Sequence, residues 1–111
     1  MAKDLTVSML LDFYGELLTE KQLSALDGYY NQDLSLAEIA EEMQVSRQGV
    51  RAVIKQGEAH LAEFEAKLHM AERFSEISRL AEEMRGIIMK MQPNELTKQL
   101  ADKVEDIKSK M

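Results

Sequence analysis

The chain has 111 residues, 45% of them hydrophobic and 31% charged, which suits one compact domain with an appended element. It has no Cys, which excludes disulfides, thiolate metal sites and cysteine nucleophiles and fits a cytoplasmic protein. Its net charge of −6 argues against a protein that coats nucleic acid through bulk charge.

Five Gly and one Pro leave few places to turn, so an all-α fold is expected. No apolar run approaches the length of a bilayer span. The opening MAKDLTVSMLLDF lacks the basic start and cleavage site of a secretory signal. In chain order, Leu10, Tyr14, Leu17 and Leu18 recur at helical spacing beside Phe13 and predict a helix over 6–18. Thr19 and Gln22 form a capping-box pattern, and Leu23, Leu26, Tyr29 and Tyr30 give the second helix its stripe. Asn31-Gln32-Asp33 signals a turn. Ser35 and Glu38 form a second capping box, opening a helix whose Leu36, Ile39, Ala40 and Met43 face inward.

Gln44-Val45 is a short turn, and Ser46 caps the next helix by accepting from the amide of Gln48 or Gly49. That helix is expected to reach about Lys67, with Val50, Val53 and Ile54 on its buried side. The seam Val50, Ile54, Gly57, Leu61, Phe64 and Leu68 continues through Gly57, where a small residue lets another backbone come close. Met70, Phe74, Ile77, Ala81, Met84, Ile88 and Met91 then repeat by fours and threes, a coiled-coil-like seam of three heptads. Pro93 breaks the chain. Asn94 caps a last helix on which Leu96, Leu100, Val104, Ile107 and Met111 line up, so the end of the chain reads as a helical hairpin. The expected organisation is a four-helix helix-turn-helix module over 1–68 and a C-terminal hairpin over 69–111.

Charge separates within the central stretch. Residues 1–33 carry six acids and two bases, whereas 34–57 carry three of each. Glu38, Glu41 and Glu42 sit on the first helix of the pair, and Arg47, Arg51 and Lys55 on the second. A helix-turn-helix needs a small residue at the helix crossing, an inward apolar residue in the turn and two apolar residues three apart on the second helix. Ala40, Val45, and Val50 with Val53 are the candidates. The outer face then holds Ser46, Arg47, Gln48, Arg51 and Lys55. Arg suits guanine and Gln suits adenine in the major groove, while Ser46 and Lys55 suit phosphates. Gln44 stands where Gly often serves, and a left-handed backbone there is costly.

LSLAEIAEEMQVSRQGV, preceded by LLDFYGELLTEKQ and YYNQDLS and followed by EFEAKLHM, resembles the YlxM family. These small bacterial proteins have a wingless helix-turn-helix similar to region four of sigma factors. The likeness runs over Leu10 to Met70. It implies a cytoplasmic bacterial regulatory protein of the signal recognition particle pathway, with the particle's RNA or its GTPase as partner. Two positions depart from the family's pattern: Gly49 where Ala is expected, and Arg51 where an aromatic is common. A sequence-specific transcriptional regulator that binds DNA, unrelated to protein targeting, is the alternative.

No residues suggest an enzyme: there is no triad, phosphate loop or redox pair. No cofactor is expected. His60 and His69 are nine apart and read as surface histidines rather than a metal pair. Glu41-Glu42 and Glu82-Glu83 point about 100° apart on a helix and cannot share a site. Eight Met is a high count, and those late in the chain fill the C-terminal seam. That seam has more apolar stripe than a lone hairpin buries, so Met70, Phe74, Ile77, Met84, Ile88 and Met91 are expected to form a dimer or partner interface, a homodimer first.

Overall fold

A computed structural model describes residues 5–111, all of whose regular structure is helical. Residues 1–4, which open the expected first module, lie outside the described residues. The chain divides into two compact units, Met1–Ala71 and Glu72–Met111.

In the first unit, α1 (Leu5–Tyr14) tightens into a 3₁₀ turn over Gly15–Leu17. Thr19 and Gln22 then form the expected reciprocal cap, and α2 runs Glu20–Leu26. The Tyr29-Tyr30 stripe does not continue the α-helix. The chain widens into a π turn, Asp27–Asn31. The Gln32 amide reaches back to the Asp27 carbonyl at 3.1 Å. Asn31 and Gln32 side-chain amides both donate to the Asp27 carboxylate, at 2.8 and 2.9 Å, and hold the turn open. α3 (Leu36–Met43) starts at the Ser35–Glu38 capping box, as its sequence requires.

α4 (Arg47–Leu68) runs through Gly57 without a break. A Cβ at Gly57 would lie 2.6 Å from Leu26 Cδ1 and 3.5 Å from Gln22 Cβ, so the missing side chain is what admits α2. Leu26 is fully buried there, a burial worth about 1.5–3 kcal/mol. Around it, Leu11, Tyr14, Ala25, Ile39, Ala40, Val50, Ile54 and Leu61 complete one core. Two expectations fail at its margins. Val45 is 42% exposed and Leu68 is 45% exposed, so neither belongs to the interior. Val45 sits over the first turn of α4 beside Gly49, and Leu68 lies in the last turn, past the end of the packed face.

The second unit is a hairpin of α5 (Met70–Met89), whose first two residues fall in the first unit, and α6 (Glu95–Ser109). Asn94 caps α6 through a reciprocal pair with Thr97. Of the expected line on α6 only Val104 is buried. The buried or half-buried positions are Thr97, Ala101, Val104 and Lys108, one helical stripe rotated from Leu96, Leu100, Ile107 and Met111. On α5 the buried residue of this unit is Ala81, with Ser78 and Ile88 half-buried. Small side chains therefore form the interior of this unit, and the large ones stay outside. Lys108 pairs with Glu82 across the hairpin.

Candidate nucleic-acid interface

The turn between α3 and α4 sets the geometry. Gln44 adopts a left-handed backbone, φ 56° and ψ 45°. Its amide bonds Glu41 O at 3.3 Å, and the Val45 amide bonds Ala40 O at 3.1 Å. That pair of bonds satisfies two of the last carbonyls of α3 and stops the helix within one residue. Ser46 then returns to extended backbone, and its Oγ accepts from the Gly49 amide at 2.9 Å. The expected cap holds, with Gly49 as the donor. A Cβ on Gly49 would meet that Oγ at 3.2 Å, so the helix start is tight at this point.

Every residue of the expected reading face is exposed: Ser46, Arg47, Gln48, Arg51 and Lys55. Arg47, Gln48 and Arg51 line a concave surface together with Tyr29 and residues 33–38. Ser46 and Lys55 lie outside that concavity. Among the described residues no carboxylate pairs with Arg47, Arg51 or Lys55. Their charges are available to an outside anion. Ser46 uses one lone pair on its own helix and keeps its hydroxyl hydrogen to donate.

The opposite wall of the concavity is the start of α3, absent from the sequence reading. The capping box engages the Ser35 and Glu38 amides. The Leu36 and Ala37 amides belong to the first turn, where a helix has no partner of its own. Such amides favour a phosphate. Asp33 and Glu38 line the same surface and oppose one. Glu38 spends Oε1 on the Ser35 amide, which moderates its effect. The Ser35-x-x-Glu38 pattern marked this helix start, but nothing in its periodicity showed that it faces Arg47.

On α5, Met70, Phe74, Ile77 and Met84 are exposed and Ile88 is half-buried, and Met91, past the end of α5, is also exposed. His60 stacks on Phe64, with ring centroids 6.4 Å apart, and His69 closes α4 with a left-handed backbone. Among the described residues no group of three His, Asp or Glu side chains is placed to hold a metal ion. None of the described helices is long and apolar enough to cross a membrane.

Comparison with known proteins agrees with this architecture. Residues 1–109 match the model of a family described as "Putative helix-turn-helix protein, YlxM / p13 like". A UPF0122 protein of Clostridium kluyveri is 51% identical over 88 residues, which is 79% of this chain and 77% of that protein. One from Shouchella clausii is 44% identical over 105 residues, 95% of this chain and 96% of its own. One from Bacillus cereus is 43% identical over 108 residues, 96% of this chain and 98% of its own. Fold, turn geometry and these matches agree, and the chain belongs to the YlxM / p13 like helix-turn-helix family.

Proposed function

We propose that this protein is a cytoplasmic, nucleic-acid-binding regulator of the signal recognition particle pathway, and that it binds rather than catalyses. The observation that carries the binding part is the exposed start of α4, where Arg47, Gln48 and Arg51 line a concave surface and, among the described residues, neither arginine pairs with a carboxylate. Arg47 and Arg51 are four apart, so both guanidiniums lie on one stripe of the helix. A helix presented in this way enters a DNA major groove, with Gln48 able to pair with adenine and the arginines with guanine or phosphate. The Leu36 and Ala37 amides and Lys55 flank the groove-reading turns as phosphate contacts. Resemblance to the YlxM family supports the pathway, with the particle's RNA or its GTPase as partner.

The alternative is a sequence-specific transcriptional regulator that acts on DNA alone. The groove-reading geometry of α4 favours it, because the deep major groove of A-form RNA does not admit such a helix. In either case three cations on an acidic chain grip weakly, so the protein works as a homodimer that doubles the reading face. Titration against particle RNA, the particle's GTPase and genomic DNA fragments, at two salt concentrations, tests the proposal. Binding to the RNA or GTPase supports the pathway role, and salt-sensitive, selective binding to DNA alone supports the alternative. Binding to none of the three contradicts both.

A further inference from the structure

The hairpin puts its small side chains inside and its large ones outside. Ala81, Thr97 and Val104 are buried, whereas Ile77, Leu80, Met84, Leu96, Leu100 and Ile107 are 42–69% exposed. A helix pair that had only itself to stabilise would bury the large residues, since each is worth more on burial than Ala or Thr. On α5, Ile77, Leu80 and Met84 form one stripe, displaced roughly 80° from the inner stripe at about 100° per residue. On α6, Leu96, Leu100 and Ile107 are displaced from the Thr97–Val104 stripe by a similar angle in the same rotational sense. Because the two helices run antiparallel, equal rotations bring both stripes to the same side of the hairpin. Both stripes therefore lie on one side of the hairpin, and the Glu82–Lys108 pair sets Met84 near the level of Ile107, with Ile77 and Leu80 toward one end of that side and Leu96 and Leu100 toward the other.

We infer that this face is an isologous interface with a second copy of the chain, formed by Ile77, Leu80 and Met84 of α5 and Leu96, Leu100 and Ile107 of α6. The inference rests on the homodimer reading above and assigns its surface. It retains Ile77 and Met84 of the expected seam and adds Leu80 and the α6 stripe. Two observations favour a second copy over another partner. Residues 72–111 carry eight acids and eight bases, whereas residues 1–71 carry the whole net charge of −6. A neutral, mixed-sign unit meets its own copy without net repulsion, and it gives no electrostatic attraction to an acidic or basic partner. The apolar surface is also of the right size. Large side chains about half exposed offer roughly 100 Å² each, so these six and their neighbours approach the ~800 Å² per partner of a stable interface. The six alone offer ~600 Å², at the top of the ~300–600 Å² range for the largest apolar patch on a monomer.

The test is mass measurement by light scattering at ~50 μM, within the range of ordinary protein–protein affinities, for the full chain and for a Leu80→Glu, Leu100→Glu variant. The wild type is expected at twice 12.7 kDa and the variant at 12.7 kDa with unchanged helical circular dichroism. Should the charged variant unfold, Leu80→Ala, Leu100→Ala replaces it, with at least a ~10-fold weaker dimer expected. A monomeric wild type overturns both the homodimer reading and this surface. A folded charged variant that stays dimeric, or an Ala variant whose dimer dissociates on dilution no more readily than the wild type's, overturns the surface alone. DNA and RNA binding are read separately, so failure of nucleic-acid binding leaves this result intact.

Discussion

The Tyr14 hydroxyl donates to Glu65 Oε1 at 2.6 Å, joining the end of α1 to the last turns of α4. The same two groups serve the start of α5. Tyr14 accepts from the Met70 amide at 3.0 Å, and Glu65 Oε1 accepts from the Ala71 amide at 3.0 Å. His69 precedes them in a left-handed conformation, φ 55°, unlike the extended backbone of an ordinary N-cap. A buried tyrosine and a carboxylate from other helices cap α5 instead.

Tyr14→Phe removes the hydroxyl that donates to Glu65 and accepts from the Met70 amide, so both bonds are lost. A loss of about 1–3 kcal/mol is expected in chemical denaturation. Burial first, and then Glu65, pushes the Tyr14 phenol above its ordinary pKa. Such a group stabilises fully below its unfolded pKa and loses the contribution as pH rises through the folded one. The wild type is therefore expected to lose stability in the alkaline range, and Tyr14→Phe to lose less of it over the same range. Equal alkaline losses in the two proteins would contradict this role.

Gly57→Ala sets two effects against each other. Helix propensity favours Ala by ~1 kcal/mol. The new methyl would lie 2.6 Å from Leu26 Cδ1, and Leu26 is fully buried and has little room to yield. Overpacking at ~1–3 kcal/mol wins, so the variant is expected to be less stable on urea unfolding. Combining it with Leu26→Ala should cost less than the sum of the two single changes.

Gln44→Gly is expected to stabilise by about 1 kcal/mol, because only Gly adopts this left-handed backbone without a steric penalty. The thermal midpoint should rise with nucleic-acid binding unchanged, since Gln44 does not line the concavity beside Arg47. A fall in stability would mean that the Gln44 side chain has a stabilising part.

Glu82 is held below the ordinary carboxylate range, first by its hydrogen bond with Lys108, then by that ammonium's charge. A group with a depressed pKa stabilises above its unfolded value and loses the contribution as pH falls through the folded one. Lys108→Gln should return the Glu82 titration to the usual glutamate range, followed by carboxyl carbon chemical shift. No change would mean the pair does not persist in solution.

The caps were the most legible feature of the sequence. Thr19, Ser35, Ser46 and Asn94 each start a helix because a short polar side chain reaches an amide two or three residues ahead, a local event. The π turn was not legible. Tyr29 and Tyr30 look like a continuing stripe, and the wider turn depends on where the chain must next be, with Asp27 holding Asn31 and Gln32. Nor could periodicity choose between neighbouring stripes on α6, where Val104 is buried but Leu100 and Ile107 are not. Both stripes have helical spacing, and only the closeness of α5 decides. At the candidate interface, Arg47, Gln48 and Arg51 were readable from the cap that precedes them. The facing wall at Ser35–Glu38 was not, because it is a tertiary relation between two helix starts.

We propose that the first turns of α4 hold nucleic acid. The most direct measurement is binding of wild type and an Arg47→Glu, Arg51→Glu variant to genomic DNA fragments and to particle RNA, at ~50 and ~200 mM salt. Wild type should bind at least one of them with affinity that falls as salt rises. The double variant, with its fold intact by circular dichroism, should lose that binding by ~100-fold or more. Wild-type binding that the double variant retains, or no binding of either nucleic acid at low salt, would contradict the proposal.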